Sequence, residues 1–239
     1  AAMAATIADS ESASHSDEAA KYKIVASYEG TGLRIVQFNL GVLSHYSYLL
    51  ISDGKVLAVD PGRDIEAYLA YANDQKLEWV GTFLTHSHAD FVAGHTEMAA
   101  ATGKPVFVSH KSGAEYPHLE LKDDSTIEVG KALLKIMETP GHTPDSLCGV
   151  VSPAAIPDKQ EFLLSGDTLF VGSLGRPDLM GGSYSAAELA GMMFDTWNKK
   201  LTRLRENVVV LPAHGAGSLC GAHLSDAPSS TIGEEKVSN

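Results

Sequence analysis

The 239-residue chain is long enough to bury a sizeable hydrophobic core, and one large α/β domain is the default expectation at this length. Its 18 basic and 30 acidic residues give a formal charge of −12 with no dense basic patch, which argues against nucleic acid and anionic membranes as partners. No apolar run approaches the ~20 residues that a membrane span requires.

Residues 1–22 precede the first segment with a clear hydrophobic pattern. They are rich in Ala, Ser and acidic residues, and this composition is expected to form a flexible leader. Residues 23–239 are expected to form one domain. The chain starts without Met, which favours processing or trimming. The compartment therefore stays open between the cytoplasm and, if a targeting peptide has been cleaved, the periplasm or an organelle.

Hydrophobic spacing predicts the secondary-structure elements. Strands are predicted, in chain order, at 33–40, 46–51, 55–60, 79–84, 106–109, 126–129, 133–138, 147–151, 162–165 and 207–211. Helices are predicted at 64–76, 91–101 and 185–204. Ser185 and Glu188 have the spacing of a capping box at the start of the last helix. The predicted order is strand hairpins followed by helices, and this order occurs twice along the chain. It predicts two packed sheets with helices outside and functional loops along one edge.

Residues that bind metals follow four of the predicted strands. His86 and His88 come after strand 79–84, and alternate residues of extended backbone point the same way, so both can converge on one point. His142, Asp167 and His214 follow strands 133–138, 162–165 and 207–211. Imidazole and carboxylate groups together are a preferred ligand set for transition metals. The pattern therefore predicts a metal site.

Some of the histidines and aspartates are predicted to belong to the metal site, and the others are not. His86, His88, His142 and Asp167 are the predicted site, whereas Asp90 and His214 are interpreted either as ligands or as partners that orient ligands. Asp60 is expected to hold the loop by accepting backbone N–H groups. The remaining histidines are expected to be ordinary hydrogen-bonded residues: His15, His45, His95, His110, His118 and His223.

Four motifs carry a resemblance to a known family. They are His86-Ser-His-Ala-Asp-Phe-Val-Ala-Gly-His95, Gly166-Asp-Thr-Leu-Phe-Val-Gly172, Gly175-Arg-Pro-Asp178 and Pro212-Ala-His-Gly-Ala-Gly-Ser-Leu-Cys-Gly221. With Gly141-His-Thr143, they resemble the metallo-β-lactamase superfamily from about residue 35 to the end. More narrowly, the chain resembles persulfide dioxygenases, and most of all the branch often fused to rhodanese domains.

The resemblance implies a fold and an activity. The implied fold is an α/β (α+β) four-layer αββα sandwich, with two mixed sheets and outer helices. The implied enzyme oxidises a thiol persulfide, such as glutathione persulfide, with O2 to sulfite and the free thiol, a reaction of sulfur metabolism and hydrogen sulfide detoxification. It implies one Fe(II) per chain. It also leaves open a homodimer and a rhodanese partner, either as a domain beyond residue 239 or as a separate protein.

The ligand set has two interpretations from spacing alone. His86, His88 and His142 could hold zinc with water as the fourth ligand, or His86, His142 and Asp167 could hold iron(II). The resemblance favours the second set and makes His88 a neighbour of the ligands. Dinuclear zinc hydrolases of this fold carry a His directly after the Asp of the loop. Phe91 occupies that position here, so one metal is predicted.

Two other functions remain open from the sequence. One is a mononuclear or dinuclear zinc thioester hydrolase of the glyoxalase II type, and Phe91 argues against the dinuclear form. The other is a non-catalytic metal-binding module that partners a rhodanese. By resemblance, Arg176 binds the carrier thiol of the substrate, and its alternative role is a salt bridge to Asp178.

The sequence says less about the roles of the two cysteines and about the carrier thiol of the substrate. Cys148 and Cys220 are expected to be buried, inert thiols, and the alternative is a relay of sulfane sulfur. Gly215-Ala-Gly217 stands where glutathione-using relatives carry a Tyr shortly after the Pro-Ala-His segment. The sequence therefore does not identify the carrier thiol.

Overall fold

The computed structural model describes residues 22–41, 43–180, 183–221 and 224–239, and two sheets contain most of the strands in these ranges. The first sheet contains, in spatial order, β1 (Lys23–Gly30), β2 (Leu33–Leu40), β3 (His45–Ser52), β4 (Lys55–Val59), β5 (Glu78–Phe83), β6 (Val106–Ser109) and β7 (Leu119–Leu121). The second contains β8 (Thr126–Val129), β9 (Ala132–Glu138), β10 (Leu147–Pro153), β11 (Phe162–Gly166), β14 (Val209–Pro212) and β15 (Ser230–Thr231), and a separate two-stranded ribbon contains β12 (Leu169–Phe170) and β13 (Ser173–Leu174). Both sheets are mixed, because β4 to β7 are parallel in the first and β11 pairs in parallel with β14 in the second.

The two sheets pack face to face because consecutive residues of their strands point to opposite sides. In β4, Leu57 and Val59 enter the core between the sheets, while Val56 and Ala58 enter a second core outside the first sheet. The second sheet has the same alternation, with Leu164 inside and Leu163 outside. Strands that are apolar on both faces need a further layer over each sheet.

Helices supply these outer layers. Helices α1 (Glu66–Asp74) and α2 (His95–Thr102) cover the first sheet. The second sheet is covered by α3 (Ala186–Lys199), a 3-10 turn at Leu201–Arg203 and α4 (Ile232–Ser238). The predicted four-layer sandwich is confirmed. No helix in the described ranges has the length and apolar character to cross a membrane.

Most predicted elements are confirmed with shifts of one or two residues at their ends. The predicted helix 91–101 begins only at His95, because Gly94 and Ala93 are bound to Pro61 and Gly62 in an extended loop. The predicted helix 185–204 ends at Lys199 and continues as the 3-10 turn, while its capping box is present. Strand β1 and helix α4 were not predicted. Residues 1–21 of the predicted leader lie outside the described residues, and Tyr22 is buried against Tyr68.

Backbone contacts between the sheets define one edge of the sandwich. The N–H of Tyr46 at the start of β3 donates to the carbonyl of Ala213 after β14 (2.7 Å). The N–H of Leu147 at the start of β10 donates to the carbonyl of Thr85 after β5 (2.7 Å). The loops that follow β5, β9, β11 and β14 therefore meet at this edge.

Candidate metal centre

The strand-end loops bring together two histidines and an aspartate. His86 follows β5, His142 follows β9 and Asp167 follows β11, and all three are buried. Their ligand atoms lie within 4.8 Å of one another. Oδ2 of Asp167 is 3.9 Å from Nε2 of His86 and 3.5 Å from Nε2 of His142. It is buried with no hydrogen-bond partner among the described residues, and such an orphaned acceptor fits a metal ion.

The hydrogen bonds of both histidines set the tautomer that a metal needs. Nδ1 of His142 donates to the carbonyl of Arg176 (2.9 Å), which leaves Nε2 unprotonated. The Thr85 hydroxyl donates to Oδ2 of Asp60 (2.8 Å), so its oxygen accepts from Nδ1 of His86 (3.1 Å). Both Nε2 atoms therefore offer a lone pair to the same point.

Burial and charge keep this cluster in its metal-binding protonation state. Burial, with the neighbouring imidazole of His88 next in effect, lowers the pKa of His86 to about 3, so the ring is neutral at physiological pH. Burial alone would raise the pKa of Asp167, but the adjacent His214 holds it well below its usual value. The neutral imidazole of His86 and the carboxylate of Asp167 are therefore ready to bind a cation without first losing a proton.

Asp60 organises the histidine loop from the end of β4. The residue is buried with a left-handed φ of 47°, and its Oδ1 accepts from the Thr85 N–H (2.8 Å) and from Nε2 of His88 (2.8 Å). Nδ1 of His88 is buried without a hydrogen-bond partner among the described residues. His88 does not belong to the group of three whose ligand atoms lie within mutual reach.

A second cluster lies behind Asp167. Nδ1 of His214 is 2.8 Å from Oδ1 of Asp167, and its Nε2 is 2.8 Å from Oδ2 of Asp90. Burial lowers the pKa of His214, but the two carboxylates outweigh it and raise that pKa to about 10, so the ring is a cation between two anions. Cys220 completes this group, with Sγ 3.8 Å from Oδ2 of Asp90.

Phe91 lies against the histidines of the centre. Its ring stacks on His45, with centroids 3.8 Å apart, and its centroid is 4.5 Å from that of His88. His45 is fully buried, and burial lowers its pKa well below the ordinary value, which keeps the ring neutral. The residue that follows Asp90 therefore has an apolar ring, and this ring packs on the neutral imidazole of His45.

Arg176 contributes its backbone to the centre and its side chain to Asp178. Nε and Nη2 of Arg176 donate to the two carboxylate oxygens of Asp178 (3.0 and 2.8 Å). The segment passes so close to the ligands that a Cβ on Gly175 would collide with the carbonyl of Asp167 and lie 3.0 Å from Cβ of His142. The predicted contact of Arg176 with a carrier thiol stays a prediction.

A cavity of about 280 Å³ opens onto the cluster. It is lined by His86, Ser87, Ala89, Asp90, His142, Thr143, Asp145, Leu179, Met180 and Cys220. Asp145 accepts from the N–H (3.0 Å) and the hydroxyl (2.7 Å) of Ser87 and so fixes the wall. A molecule in this cavity reaches the metal-ligand side of both histidines.

Sequence reasoning missed three residues of this site. His45, Asp145 and Cys220 belong to it and were not assigned to the metal site, although Asp145 follows the Gly-His-Thr-Pro segment and Cys220 lies in the motif that ends at Gly221. The other described histidines make contacts elsewhere: His110 pairs with Glu138, His118 contacts the Tyr116 carbonyl, and His95 stacks on the Tyr116 ring. His15 and His223 lie outside the described residues. Cys148 is buried, and burial raises its pKa to about 11.

Comparison with known proteins defines the class. The family model of the metallo-beta-lactamase superfamily matches residues 40–214, so the chain belongs to this superfamily. With the geometry above, it contains the metal-binding His/Asp cluster of a metallo-β-lactamase fold.

Individual relatives differ in function. A metallo-beta-lactamase structure from Staphylococcus aureus subsp. aureus COL is 33% identical, with a TM-score of 0.80 over 87% of this chain and 63% of that protein. ETHE1 from Myxococcus xanthus has a TM-score of 0.73 at 24% identity over 86% and 82% of the two chains, and it shows the fold alone. A hydroxyacylglutathione hydrolase of Polaromonas sp. strain JS666 is 31% identical over 71% of this chain and 62% of its own length. The chain thus spans under two thirds of two of these relatives.

Proposed function

We propose that the protein is a non-haem iron(II) persulfide dioxygenase, with one metal ion held by His86, His142 and Asp167. The observation that carries the proposal is the bare Oδ2 of Asp167 beside two unprotonated Nε2 atoms at the wall of a cavity. Two histidines and one carboxylate with open positions form the ligand set of non-haem iron(II) oxygenases. The motifs around these residues resemble persulfide dioxygenases, which supports the same reaction.

The reaction balances with O2 as the oxidant. One persulfide, one O2 and one water give one thiol, one sulfite dianion and two protons. The terminal sulfur is oxidised and O2 is reduced, the sulfur–sulfur bond breaks, and the carrier sulfur leaves as the thiol. Bound iron(II) supplies the redox activity that lets O2 react with sulfur, which zinc lacks.

The residues around the cluster orient its side chains, confine the substrate and exclude water. Thr85 and the carbonyl of Arg176 orient the two imidazoles. His214 holds Oδ1 of Asp167 and so orients the free Oδ2 of the same carboxylate. Phe91 stacked on His45 keeps water and a second cation from the position after Asp90. Leu179 and Met180 line the cavity with apolar surface beside the ligands. The chain thus confines a small sulfur substrate next to its ligand atoms.

A zinc thioester hydrolase is the second candidate function. Its support is the similarity to a hydroxyacylglutathione hydrolase, and the cluster of His86, His142 and Asp167 consists of residue types that bind zinc as well as iron. In this reaction a zinc-activated water would attack a thioester. A non-catalytic module with a rhodanese partner is disfavoured, because a cavity opens onto the ligand residues and structural sites are closed.

Paired assays separate the two functions. Protein loaded with iron(II) is given glutathione persulfide and, separately, N-acetylcysteamine persulfide in an oxygen electrode, and sulfite is measured. Protein loaded with zinc is given S-lactoylglutathione. We expect O2 uptake with sulfite from at least one persulfide and no thioester hydrolysis above that of a His142→Ala variant. An iron form inactive with both persulfides would rule out the dioxygenase.

A further inference from the structure

The cavity beside the metal ligands contains acidic groups, and the described residues that line it include no Lys or Arg. Its carboxylates outside the ligand set are those of Asp90 and Asp145. Asp145 is fixed by two hydrogen bonds from Ser87, and the side chain of Asp90 is 30% exposed. A carboxylate on the part of the carrier that lies away from the metal would therefore meet the charge of Asp145 and find no Lys or Arg among the described cavity residues.

Arg176 is the basic residue whose backbone lies at this site, and its guanidinium is already occupied. Two of its nitrogens bind the carboxylate of Asp178, and Nη1 donates to the carbonyl of Leu219 (3.4 Å). Such a bidentate pair presents little net charge to a ligand. Arg176 is also absent from the residues that line the cavity.

The remaining wall is apolar, and the cavity is small. Leu179 and Met180, which are 46% and 40% exposed, present apolar surface to the cavity. The volume of about 280 Å³ lies just below the roughly 300–1,000 Å³ of typical ligand sites. This combination fits a short aliphatic or amide-containing arm.

Resting on the proposed dioxygenase function, we propose that the substrate is a persulfide whose carrier thiol has an uncharged arm next to the sulfur. The arm lies against Leu179 and Met180, and no carboxylate occupies the part of the carrier that the cavity encloses. Carriers with a carboxylate a few bonds from the sulfur are poor substrates, because Asp145 repels them and no Lys or Arg among the described cavity residues offsets its charge.

A matched pair of substrates tests the proposal. The persulfides of N-acetylcysteine and of N-acetylcysteine amide differ only in a carboxylate and a primary amide. With iron(II)-loaded protein, we expect kcat/KM for O2 uptake to be at least about tenfold higher with the amide, and the ratio to fall as salt is added. Equal rates, or faster oxidation of the acid, would overturn the proposal.

Charge placed in the wall gives a second test. Leu179→Lys should raise kcat/KM for the acid at least about threefold relative to the uncharged Leu179→Gln control. The amide should respond equally to both variants. If the lysine leaves the acid-to-amide ratio at the value of the glutamine variant, the proposal is wrong.

A third variant separates the proposal from a substrate-binding role of Arg176. Arg176→Gln should change the rates for the two persulfides by the same factor. A selective loss of activity with the acid would mean that Arg176 leaves Asp178 to bind a carboxylate, and would contradict an uncharged arm.

Binding without turnover distinguishes failure of this proposal from failure of the proposed function. The free thiols N-acetylcysteine and N-acetylcysteine amide are titrated calorimetrically into iron(II)-loaded protein without O2. Tighter binding of the amide, by about tenfold, supports the uncharged arm whether or not the persulfides are oxidised. If the amide binds more tightly but no O2 is consumed, the proposed dioxygenase function is wrong and the proposed uncharged arm is supported. If O2 is consumed but the two thiols bind equally and their persulfides react equally fast, the uncharged arm is wrong and the dioxygenase function is supported.

Discussion

Oδ1 of Asp167 is bound to Nδ1 of His214 at 2.8 Å, while Oδ2 of the same carboxylate faces His86 and His142 without a hydrogen bond. The two oxygens of this carboxylate thus have separate roles. Oδ1 is held by His214, which follows β14, and Oδ2 is free to bind a cation. His214 in turn sits 2.8 Å from Asp90, so the residue that orients Asp167 is itself held between two carboxylates.

Removal of this anchor should weaken metal binding. His214→Gln is expected to lower metal affinity by about 10- to 100-fold, because Asp167 loses the partner that orients it. Competition with a chromophoric chelator gives the dissociation constant. His110→Gln is the matched control, since His110 also pairs with a carboxylate, that of Glu138, but away from the centre. Equal affinities of both variants would contradict the role of His214.

A histidine at position 91 should create a second metal position. In the wild type, the ring of Phe91 is stacked on His45 and cannot bind a cation. Phe91→His adds an imidazole beside Asp90 and His214, and we expect the metal content to rise from one to two ions per chain. Phe91→Leu should stay at one ion. Metal analysis after dialysis checks the prediction, and it fails if both variants bind the same number of ions.

Stability of the metal-free protein should fall in alkaline solution through His214. Its pKa is raised from 6.5 to about 10 in the folded chain, because Asp167 and Asp90 outweigh the effect of burial. A raised pKa stabilises the fold fully below pH 6.5, and this contribution is lost as the pH approaches 10. It is on the order of 3 kcal/mol. Urea unfolding at pH 6.5 and 9.5 should show a larger loss for the wild type than for His214→Gln; parallel losses would exclude this cause.

The carboxylate of Asp60 should be a stability determinant of the histidine loop. The two carboxylate oxygens of Asp60 accept hydrogen bonds from Thr85 and His88, and Asp60→Asn leaves only one acceptor oxygen for them. We therefore expect the free energy of unfolding to fall by about 2–4 kcal/mol. Asp53→Asn is the control, because Asp53 has a similar φ of 48° in an exposed hairpin turn. Its effect should stay within about 0.5 kcal/mol. A similar cost for both substitutions, measured by chemical denaturation, would assign no special role to Asp60.

The sequence predicted the sandwich well because its strands alternate between two cores. Leu57 and Val59 belong to one core and Val56 and Ala58 to the other, and such a run has few alternative folds. Helix α4 was missed even though Thr231 and Glu234 form a capping box, because the helix is short and follows a polar segment.

The candidate site was only partly readable in the sequence. His86, His142 and Asp167 follow predicted strands, so a local pattern pointed to them, and the structure brings their ligand atoms together. His45 and Cys220 reach the centre only through contacts between distant segments, such as the pairing of His45 with His214 across the two sheets. No local pattern encodes that pairing.

Metal analysis of protein isolated without added metal is the most direct measurement of the proposed centre. We expect close to one iron per chain, which His142→Ala should lose while His118→Ala retains it. Two zinc ions per chain, or iron retained in full by the His142→Ala variant, would contradict a single iron(II) held by His86, His142 and Asp167.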